Sequence, residues 1–139
     1  MRTLELRAGV DLTDVAVVKD AIAEFGDRYI HRIFTPAEAD YCRQVTGADQ
    51  QAERFAARFA AKEAVVKLLR PSDARPLWTS IEVRRQPGGW CSIQLSHTAA
   101  DLALEAGISN ISISMSHEGG MAMASASALA QPKKAPLDY

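Results

Sequence analysis

The residues with the clearest chemical potential in this 139-residue chain lie in one helical stretch. The segment "RFAARFAAKEAVVK", residues 54–67, is apolar on nearly every side, yet it contains Lys62, Glu63 and Lys67. At about 100° per residue, Lys62 falls on the face that Phe55 marks as the core side of the helix. An ammonium group at such a position needs a buried anion or a route to water, because an isolated buried charge is costly.

Two interpretations of these charges follow from the residues alone. In the first, the charges are structural: long side chains reach water past an apolar groove, and Glu63 forms an ordinary i,i+4 ion pair with Lys67. In the second, a bound polyanion satisfies Arg58, Lys62 and Lys67 together. Glu63 then requires a cation beside the anion, and a magnesium ion shared with a diphosphate meets that requirement. The spacing leaves both interpretations open.

The composition argues against several classes of function. Sixteen basic and seventeen acidic residues give a formal net charge of −1, which provides no global electrostatic case for binding nucleic acid or an anionic membrane. Cys42 and Cys91 stand alone, so we expect reduced thiols rather than a disulfide or a zinc site. Residues 1–12 contain no signal-like apolar run, and no segment approaches the roughly 20 apolar residues of a membrane span. We therefore expect a cytoplasmic protein with no nucleic-acid and no membrane partner.

The first half of the chain predicts the helices that position the charged stretch. The predicted elements are a strand ending near Asp11, a helix from Thr13 to Gly26, a helix begun at Thr35 and closed by Gly47, and a long helix from Asp49 to Leu69. Pro36 at the first helical position and Glu38 at the capping-box position support the helix after Thr35. The segment "DRYIHRIF" before it is expected to be irregular or a short helix.

The second half changes to the period of two that is typical of strands. It predicts a hairpin of residues 78–86 and 90–96, a helix over 97–107, and a second hairpin of residues 111–117 and 121–129. The expected fold class is α+β, with N-terminal helices, including one long central helix, packed on a C-terminal antiparallel sheet. We expect a single domain over residues 1–130 and a polar C-terminal tail over residues 131–139.

The charged stretch also resembles a known family motif. Its second part, "RFAAKEAVVK", is similar to the (W/F)xxKE(A/S)xxK motif of the 4′-phosphopantetheinyl transferases, in the form typical of the holo-acyl-carrier-protein synthase (AcpS) group. Other family segments follow in the right order: "GVDL" at 9–12, "DRYIHRIFTPAEADYC" at 27–42, "IEVRRQPGGW" at 81–90 and "ISISMSHEGGMAMASA" at 111–126. The resemblance covers residues 5–129, nearly the whole predicted domain.

The resemblance implies the 4′-phosphopantetheinyl transferase fold and its reaction. That reaction transfers 4′-phosphopantetheine from coenzyme A to a serine hydroxyl of an apo acyl carrier protein and leaves adenosine 3′,5′-bisphosphate. Asp11, Glu63 and Lys67 would be catalytic, with Asp11 and Glu63 as Mg²⁺ ligands and Lys67 facing the pyrophosphate. The phosphates and the adenosine end of coenzyme A would be contacted by Arg58, Lys62 and His117. The serine proton would pass to Glu63 through a water molecule or to a metal-bound hydroxide.

The resemblance also implies macromolecular partners. Carrier proteins of this kind are acidic, and Arg28 and Arg32 match family arginines that face the carrier, with Arg43 extending that patch. AcpS-type chains assemble as homotrimers, with coenzyme A in clefts between protomers. The alternating apolar residues of the second predicted hairpin, at 111–115 and 121–123, suit such an interface or an ordinary core.

The chain departs from the family pattern at two places. Ala16, Val17 and Val18 stand where the family commonly has a carrier-facing arginine, which puts the carrier preference in question. After Lys67, "LLRPSDARPLW" replaces a short Gly-rich stretch near the coenzyme. Neither departure removes a predicted metal ligand or a motif lysine. We therefore expect an active enzyme that serves a fatty-acid carrier, or a polyketide or other specialised-pathway carrier.

Two rival interpretations come from other classes of protein. The chain could be a catalytically inactive binding module that keeps the fold and holds coenzyme A or a carrier protein. It could also be a structural oligomer subunit in which the charged helix residues only reach solvent. The presence of both acidic residues and both motif lysines favours the enzyme over either rival.

Overall fold

The computed structural model describes residues 3–131 and has the predicted α+β architecture. The helices are α1 (Val15–Phe25), α2 (Asp27–Ile33), α3 (Pro36–Cys42), α4 (Ala48–Leu69) and α5 (His97–Ala106), with a 3₁₀ turn at Trp78–Ser80. The strands are β1 (Glu5–Asp14), β2 (Ile81–Arg85), β3 (Cys91–Leu95), β4 (Ser112–Glu118) and β5 (Met121–Ala130).

All described strands join in an antiparallel sheet of order β1-β5-β4-β3-β2, so the first strand of the chain lies beside the last. Both predicted hairpins, β2–β3 and β4–β5, are present. None of the helices in the described range is long and apolar enough to cross a membrane. The predicted tail, residues 131–139, lies outside the described residues apart from Gln131.

The helix starts agree with the predicted caps at α3 and differ at α1. Before α3 the capping box is complete: Thr35 accepts a hydrogen bond from the Glu38 N–H, and the Glu38 carboxylate accepts one from the Thr35 N–H. Before α1 the cap is Asp14 rather than Thr13, because β1 continues to Asp14. The Asp14 carboxylate accepts a hydrogen bond from the Ala16 N–H at 2.9 Å.

Gly47 begins α4 instead of closing the preceding helix. α3 already ends at Cys42, and Gly47 is the N-cap of α4 with a φ of 100°. Glycine adopts that backbone conformation without the steric cost that other residues meet. The rule that a glycine follows a helix C-terminus therefore assigned this glycine to the wrong helix.

Gly9 determines how closely β1 approaches α4. A Cβ atom placed on Gly9 would lie 2.1 Å from the backbone oxygen of Ala64, which real side chains do not tolerate. Because the strand passes directly against the helix, the next two residues of β1, Val10 and Asp11, come within hydrogen-bonding distance of Lys67. This contact gives a physical reason for the glycine that precedes the acidic residue in "GVDL".

Small residues fill the interface between α4 and the sheet. α4 buries Ala60, Ala61 and Ala64 completely. On β5 the inward-facing residues are all buried alanines: Ala122, Ala124, Ala126, Ala128 and Ala130. Small side chains let the helix and the sheet pack at short distance, as close packing of the interior requires. α4 also contacts α1, α3 and α5, so it is buried on several sides, as its apolar circumference predicted.

The two faces of the sheet differ in exposure. Ile111, Ile113 and Met115 are half-buried and pack against the core beneath α4. The opposite face, which we call the open face, is not covered by the described part of the chain. Its exposed apolar residues on β1 and β5 are Leu6, Val10, Leu12, Met123 and Leu129.

Candidate functional site

Asp11 and Glu63 line the same cavity, which has a volume of about 550 Å³. The cavity lies among β1, α1, α2, α4 and the 3₁₀ turn. Its wall is largely apolar, with charged groups from Asp11, Glu63, Asp14 and Arg32. Two acidic residues separated by 52 positions in the sequence are thus brought to one site by the packing of β1 on α4.

Asp11 has polar partners on both carboxylate oxygens. One oxygen accepts a hydrogen bond from the Thr13 hydroxyl at 3.0 Å, and the other lies 3.2 Å from the Lys67 ammonium. Lys67 also donates to the backbone oxygen of Val10 at 2.8 Å. The Asp11 side chain is 16% exposed and that of Lys67 is 51% exposed. The lysine is therefore held beside the carboxylate but remains open to a ligand.

Glu63 pairs with an arginine that sequence reasoning did not single out. Both of its oxygens face the Arg75 guanidinium, at 3.2 and 3.5 Å. The i,i+4 ion pair of Glu63 with Lys67, expected in the structural interpretation, is replaced by two separate pairs, Glu63–Arg75 and Asp11–Lys67. Arg75 lies in "LLRPSDARPLW", the loop noted only as a departure from the family pattern. The sequence signal that could have predicted this pair is an arginine in the loop that follows the helix of Glu63.

Lys62, which was expected to contact the coenzyme, does not line this cavity. Its side chain is completely buried and lies 2.7 Å from the Glu38 carboxylate. The ammonium also donates to the backbone oxygens of Trp78 and Ile81. Burial lowers the pKa of the Lys62 ammonium, and the Glu38 carboxylate opposes that shift. The buried anion that the sequence demanded is thus supplied by the protein itself.

Glu38 has a larger role than the predicted helix cap. Besides the Thr35 N–H and the Lys62 ammonium, its carboxylate accepts a hydrogen bond from the Val83 N–H at 2.9 Å. One buried carboxylate therefore joins α3, α4 and β2. Sequence reasoning found Glu38 as a cap and Lys62 as a charge without a partner, but nothing in the spacing connected two residues 24 positions apart.

Arg58 faces a second cavity, of about 590 Å³, rather than the cavity of the acidic pair. Its guanidinium is buried and lies 4.1 Å from the centre of the Tyr41 ring. Arg54 and Arg85 approach the same ring at 4.3 and 5.7 Å. Within residues 3–131 the buried Nε of Arg58 has no hydrogen-bond partner. This concentration of guanidinium groups favours an anion.

His117 lies at some distance from the acidic pair. It is exposed near the end of β4, with Nδ1 3.8 Å from a carboxylate oxygen of Glu53. Glu53 precedes Glu63 by ten residues on α4, which corresponds to about 15 Å along the helix. Within one chain the structure therefore does not bring His117 to the cavity of Asp11 and Glu63.

The predicted carrier-facing arginines are divided between different surroundings. Arg32 lines the cavity of the acidic pair, and Arg28, one turn earlier on α2, is exposed. Arg43 forms an ion pair with Asp27, so its charge is already compensated. Arg28 and Arg32 thus form the positive edge beside the cavity.

The donor set fits a metal ion that takes only part of its coordination from protein. Among the described residues there is no group of three or more His, Cys, Asp or Glu side chains able to hold a metal ion. Two partly exposed carboxylates, Asp11 and Glu63, share an open cavity instead. Mg²⁺ commonly binds one or two carboxylates and completes its sphere with water and substrate phosphates. The arrangement therefore suits Mg²⁺ together with a phosphate ligand and does not resemble a closed zinc site.

Comparison with known sequences identifies close relatives over almost the entire chain. A sequence model described as the 4′-phosphopantetheinyl transferase superfamily matches residues 7–124. The holo-[acyl-carrier-protein] synthase of Desulforudis audaxviator is 42% identical over 124 residues, which are 89% of this chain and 92% of that protein. The enzyme of the same name from Koribacter versatilis is 40% identical over 121 residues, covering 86% and 94%.

Solved structures resemble this chain in fold. The ACPS–CoA complex of Chronobacterium ammoniagenes superimposes with a TM-score of 0.78 at 26% identity, covering 93% of this chain and 99% of that one. The holo-[acyl-carrier-protein] synthase of Helicobacter pylori, in complex with coenzyme A, gives a TM-score of 0.73 at 25% identity, covering 86% and 96%.

Proposed function

The chain belongs to the 4′-phosphopantetheinyl transferase superfamily and is a transferase of the holo-[acyl-carrier-protein] synthase type, and we propose that it transfers 4′-phosphopantetheine from coenzyme A to a serine hydroxyl of an apo acyl carrier protein. Adenosine 3′,5′-bisphosphate is the proposed by-product. The observation that carries this proposal is the shared cavity of Asp11 and Glu63, in a chain 42% identical to a holo-[acyl-carrier-protein] synthase.

Asp11 and Glu63 are the proposed ligands of Mg²⁺. When bound there, the ion supplies Lewis-acid polarisation of the phosphate and compensation of charge on the leaving group. Both side chains are partly exposed, and residues 3–131 surround them with no group of three or more potential ligands, which leaves room for water and for phosphate oxygens. The Thr13 hydroxyl supports this arrangement by orienting the Asp11 carboxylate.

Lys67 is the proposed group that stabilises the departing phosphate. The Val10 carbonyl and the Asp11 carboxylate hold its ammonium beside the acidic pair, and half of the side chain remains exposed. A fixed cation at this position can donate a hydrogen bond or a proton to the leaving oxygen. Glu63 is the carboxylate we propose to accept the serine proton, through one water molecule.

The proposed contacts to the rest of coenzyme A lie outside the acidic cavity. Arg58 has a buried Nε with no partner in the described range and a neighbouring guanidinium cluster, which supports binding of a coenzyme phosphate. His117 is exposed and available for the adenosine end. Its distance from Glu63 is compatible with a site shared between protomers of the proposed homotrimer. Lys62 is left out of this group because its ammonium is buried against Glu38.

The proposed docking site of the acidic carrier lies at the mouth of the Asp11–Glu63 cavity. Arg32 lines the cavity, and Arg28 lies one helical turn away on the same helix. Complementary charge would steer the carrier toward the site. Val17, at a position where the family commonly has an arginine, lines the same cavity and makes α1 more apolar there.

The direct test is intact-mass spectrometry of purified apo carrier proteins incubated with this protein, coenzyme A and Mg²⁺. We expect at least one carrier from a panel of fatty-acid, polyketide and peptide carriers to gain one phosphopantetheine, and EDTA to prevent the gain. If folded protein modified no carrier but bound coenzyme A or a carrier, the inactive binding module would replace the proposed enzyme.

A further inference from the structure

Each carboxylate of the acidic pair is matched by one cation of the same chain. Asp11 pairs with Lys67, and Glu63 pairs with Arg75. The formal charges of these four groups sum to zero, and so do those of Asp14 and Arg32, which line the same cavity. Addition of Mg²⁺ gives the site a charge of about +2, and the diphosphate of coenzyme A then returns it close to neutrality. The net formal charge of the site is therefore close to zero without ligands and with both ligands, but not with the metal alone.

We propose that Arg75 couples the binding of the divalent cation to the binding of the coenzyme diphosphate. In the free protein Arg75 is paired with Glu63, and this ion pair weakens the binding of the metal ion. When metal and diphosphate arrive together, the guanidinium leaves the carboxylate and pairs with the diphosphate. This inference rests on the proposed function, since it takes Glu63 as a metal ligand and coenzyme A as the substrate.

The geometry of the Glu63–Arg75 pair supports competition with a metal. The guanidinium faces both oxygens of Glu63, at 3.5 and 3.2 Å, so it occupies one side of the carboxylate and restricts the approach of a metal ion from that side. A dication bound there would also place two like-signed charges side by side. Among the described residues, the Glu63 carboxylate accepts hydrogen bonds from Arg75 alone. When Arg75 leaves, both carboxylate oxygens are therefore available to a metal ion.

The position of Arg75 supports its release. Its side chain is 59% exposed and lies in the loop between α4 and the 3₁₀ turn. Its guanidinium carbon also lies 5.7 Å from the centre of the Trp78 ring. Lys67 differs in this respect, because the Val10 carbonyl fixes it in addition to the carboxylate. Arg75 is thus held by fewer contacts than Lys67 and is the cation more easily released.

The test measures metal binding without turnover. Mn²⁺ is titrated into the protein without coenzyme A, and free Mn²⁺ is followed by electron paramagnetic resonance. We expect Arg75→Gln to bind Mn²⁺ about 1.5- to 5-fold more tightly than the wild type, as for loss of an exposed competing ion pair. Arg75→Lys should lie between the two. Arg70→Gln, which removes a cation paired with Glu5 from the start of the same loop, is the matched control and should behave as wild type.

The same titration with saturating coenzyme A measures the coupling. Coenzyme A should increase the Mn²⁺ affinity of the wild type. The increase should be smaller in Arg75→Gln, by about the 1.5- to 5-fold factor that separates the two proteins without coenzyme A. Equal or weaker Mn²⁺ binding by Arg75→Gln without coenzyme, or an unchanged gain, would overturn the inference.

A further variant separates this inference from the proposed function. Glu63→Gln should weaken Mn²⁺ binding. If it does so while Arg75→Gln has no effect, the metal site stands and the role of Arg75 is wrong. If Glu63→Gln binds Mn²⁺ as tightly as the wild type, Glu63 is not a metal ligand, and both the proposed metal site and the role of Arg75 are wrong.

Discussion

At the scale of single residues, Lys62 and Glu63 are adjacent in the sequence but have opposite environments. Lys62 points into the core and is satisfied by Glu38, whereas Glu63 points into the cavity and pairs with an exposed arginine. A buried ion pair contributes little net stability, but loss of one partner leaves an uncompensated buried charge. Substitution of Lys62 should therefore lower the stability of the fold, whereas substitution of Glu63 should lower the rate of the reaction.

Lys62→Met is expected to lower the free energy of unfolding by about 3–5 kcal/mol, because it leaves Glu38 buried without its counter-ion. The double variant Lys62→Met/Glu38→Gln should recover part of the loss. Urea denaturation of the wild type, the two single variants Lys62→Met and Glu38→Gln, and the double variant would measure it. Lys19→Met, which removes an exposed lysine paired with Asp49, is the control and should be nearly neutral.

The same variant decides between the two roles considered for Lys62. If Lys62 acts only in the fold, the folded fraction of Lys62→Met should keep the wild-type KM for coenzyme A. A stable variant with a raised KM would show instead that the ammonium reaches the coenzyme, as the family resemblance first implied.

The sequence predicted much of the site and missed its internal partners. Asp11, Glu63 and Lys67 were identified from short motifs and lie together in the structure. The sequence connected neither Arg75 with Glu63 nor Glu38 with Lys62, because the first pair involves a loop without periodic pattern and the second is made by tertiary packing. The positions of Arg58, Lys62 and His117 relative to the acidic pair could not be predicted either, since spacing along a helix does not show what packs against each face.

At the scale of elements, the site depends on the approach of β1 to α4. Asp11 comes from the strand and Glu63 from the helix, so their convergence requires the close contact at Gly9 and Ala64. The buried alanines of α4 and β5 serve the same purpose on the neighbouring strand. A larger side chain at this junction would separate the two carboxylates.

Gly9→Ala is expected to destabilise the protein by about 3 kcal/mol or more, because the added methyl group collides with a backbone oxygen that cannot move independently of α4. Thermal and urea unfolding would measure the loss. Ala23→Ser, at an exposed position of α1, is the control and should change stability little. A Gly9→Ala protein with wild-type stability would contradict the role assigned to this contact.

At the scale of the whole molecule, the open face is the main apolar surface without a partner in the described chain. Leu6, Val10, Leu12, Met123 and Leu129 are exposed there. Contiguous exposed apolar surface of this kind often marks an interface between proteins. We propose that it is the contact surface of the homotrimer implied by the family resemblance, rather than the row of Ile111, Ile113 and Met115, which packs against the core.

Leu6→Asp is expected to weaken this assembly, because the interface would bury an unpaired carboxylate. Sedimentation equilibrium should give the wild type about three times the 15.1 kDa mass of the chain and shift Leu6→Asp toward the monomer. Leu104→Asp, which changes an equally exposed leucine on α5, should leave the mass unchanged. A monomeric wild type would refute the proposed trimer.

The fold was predicted more completely than its boundaries. Periodicity identified the helices and both hairpins, because a core imposes period 3.6 or 2 on its residues. The ends of elements depend on local hydrogen bonds, as at Asp14, which caps α1 in place of Thr13. Alternation along a strand shows that Ile113 shares a face with Ile111 and Met115, but it does not show on which face of the sheet α4 packs.

The measurement that tests the central claim most directly is the rate of carrier modification by site variants, followed by intact-mass spectrometry. Asp11→Asn and Glu63→Gln should each reduce the transfer rate by about 100-fold or more while remaining folded, because each removes a charge from the proposed metal site. Asp101→Asn, which removes an exposed carboxylate of α5, should transfer at the wild-type rate. Wild-type rates for both site variants would contradict the claim that this acidic pair is the catalytic centre.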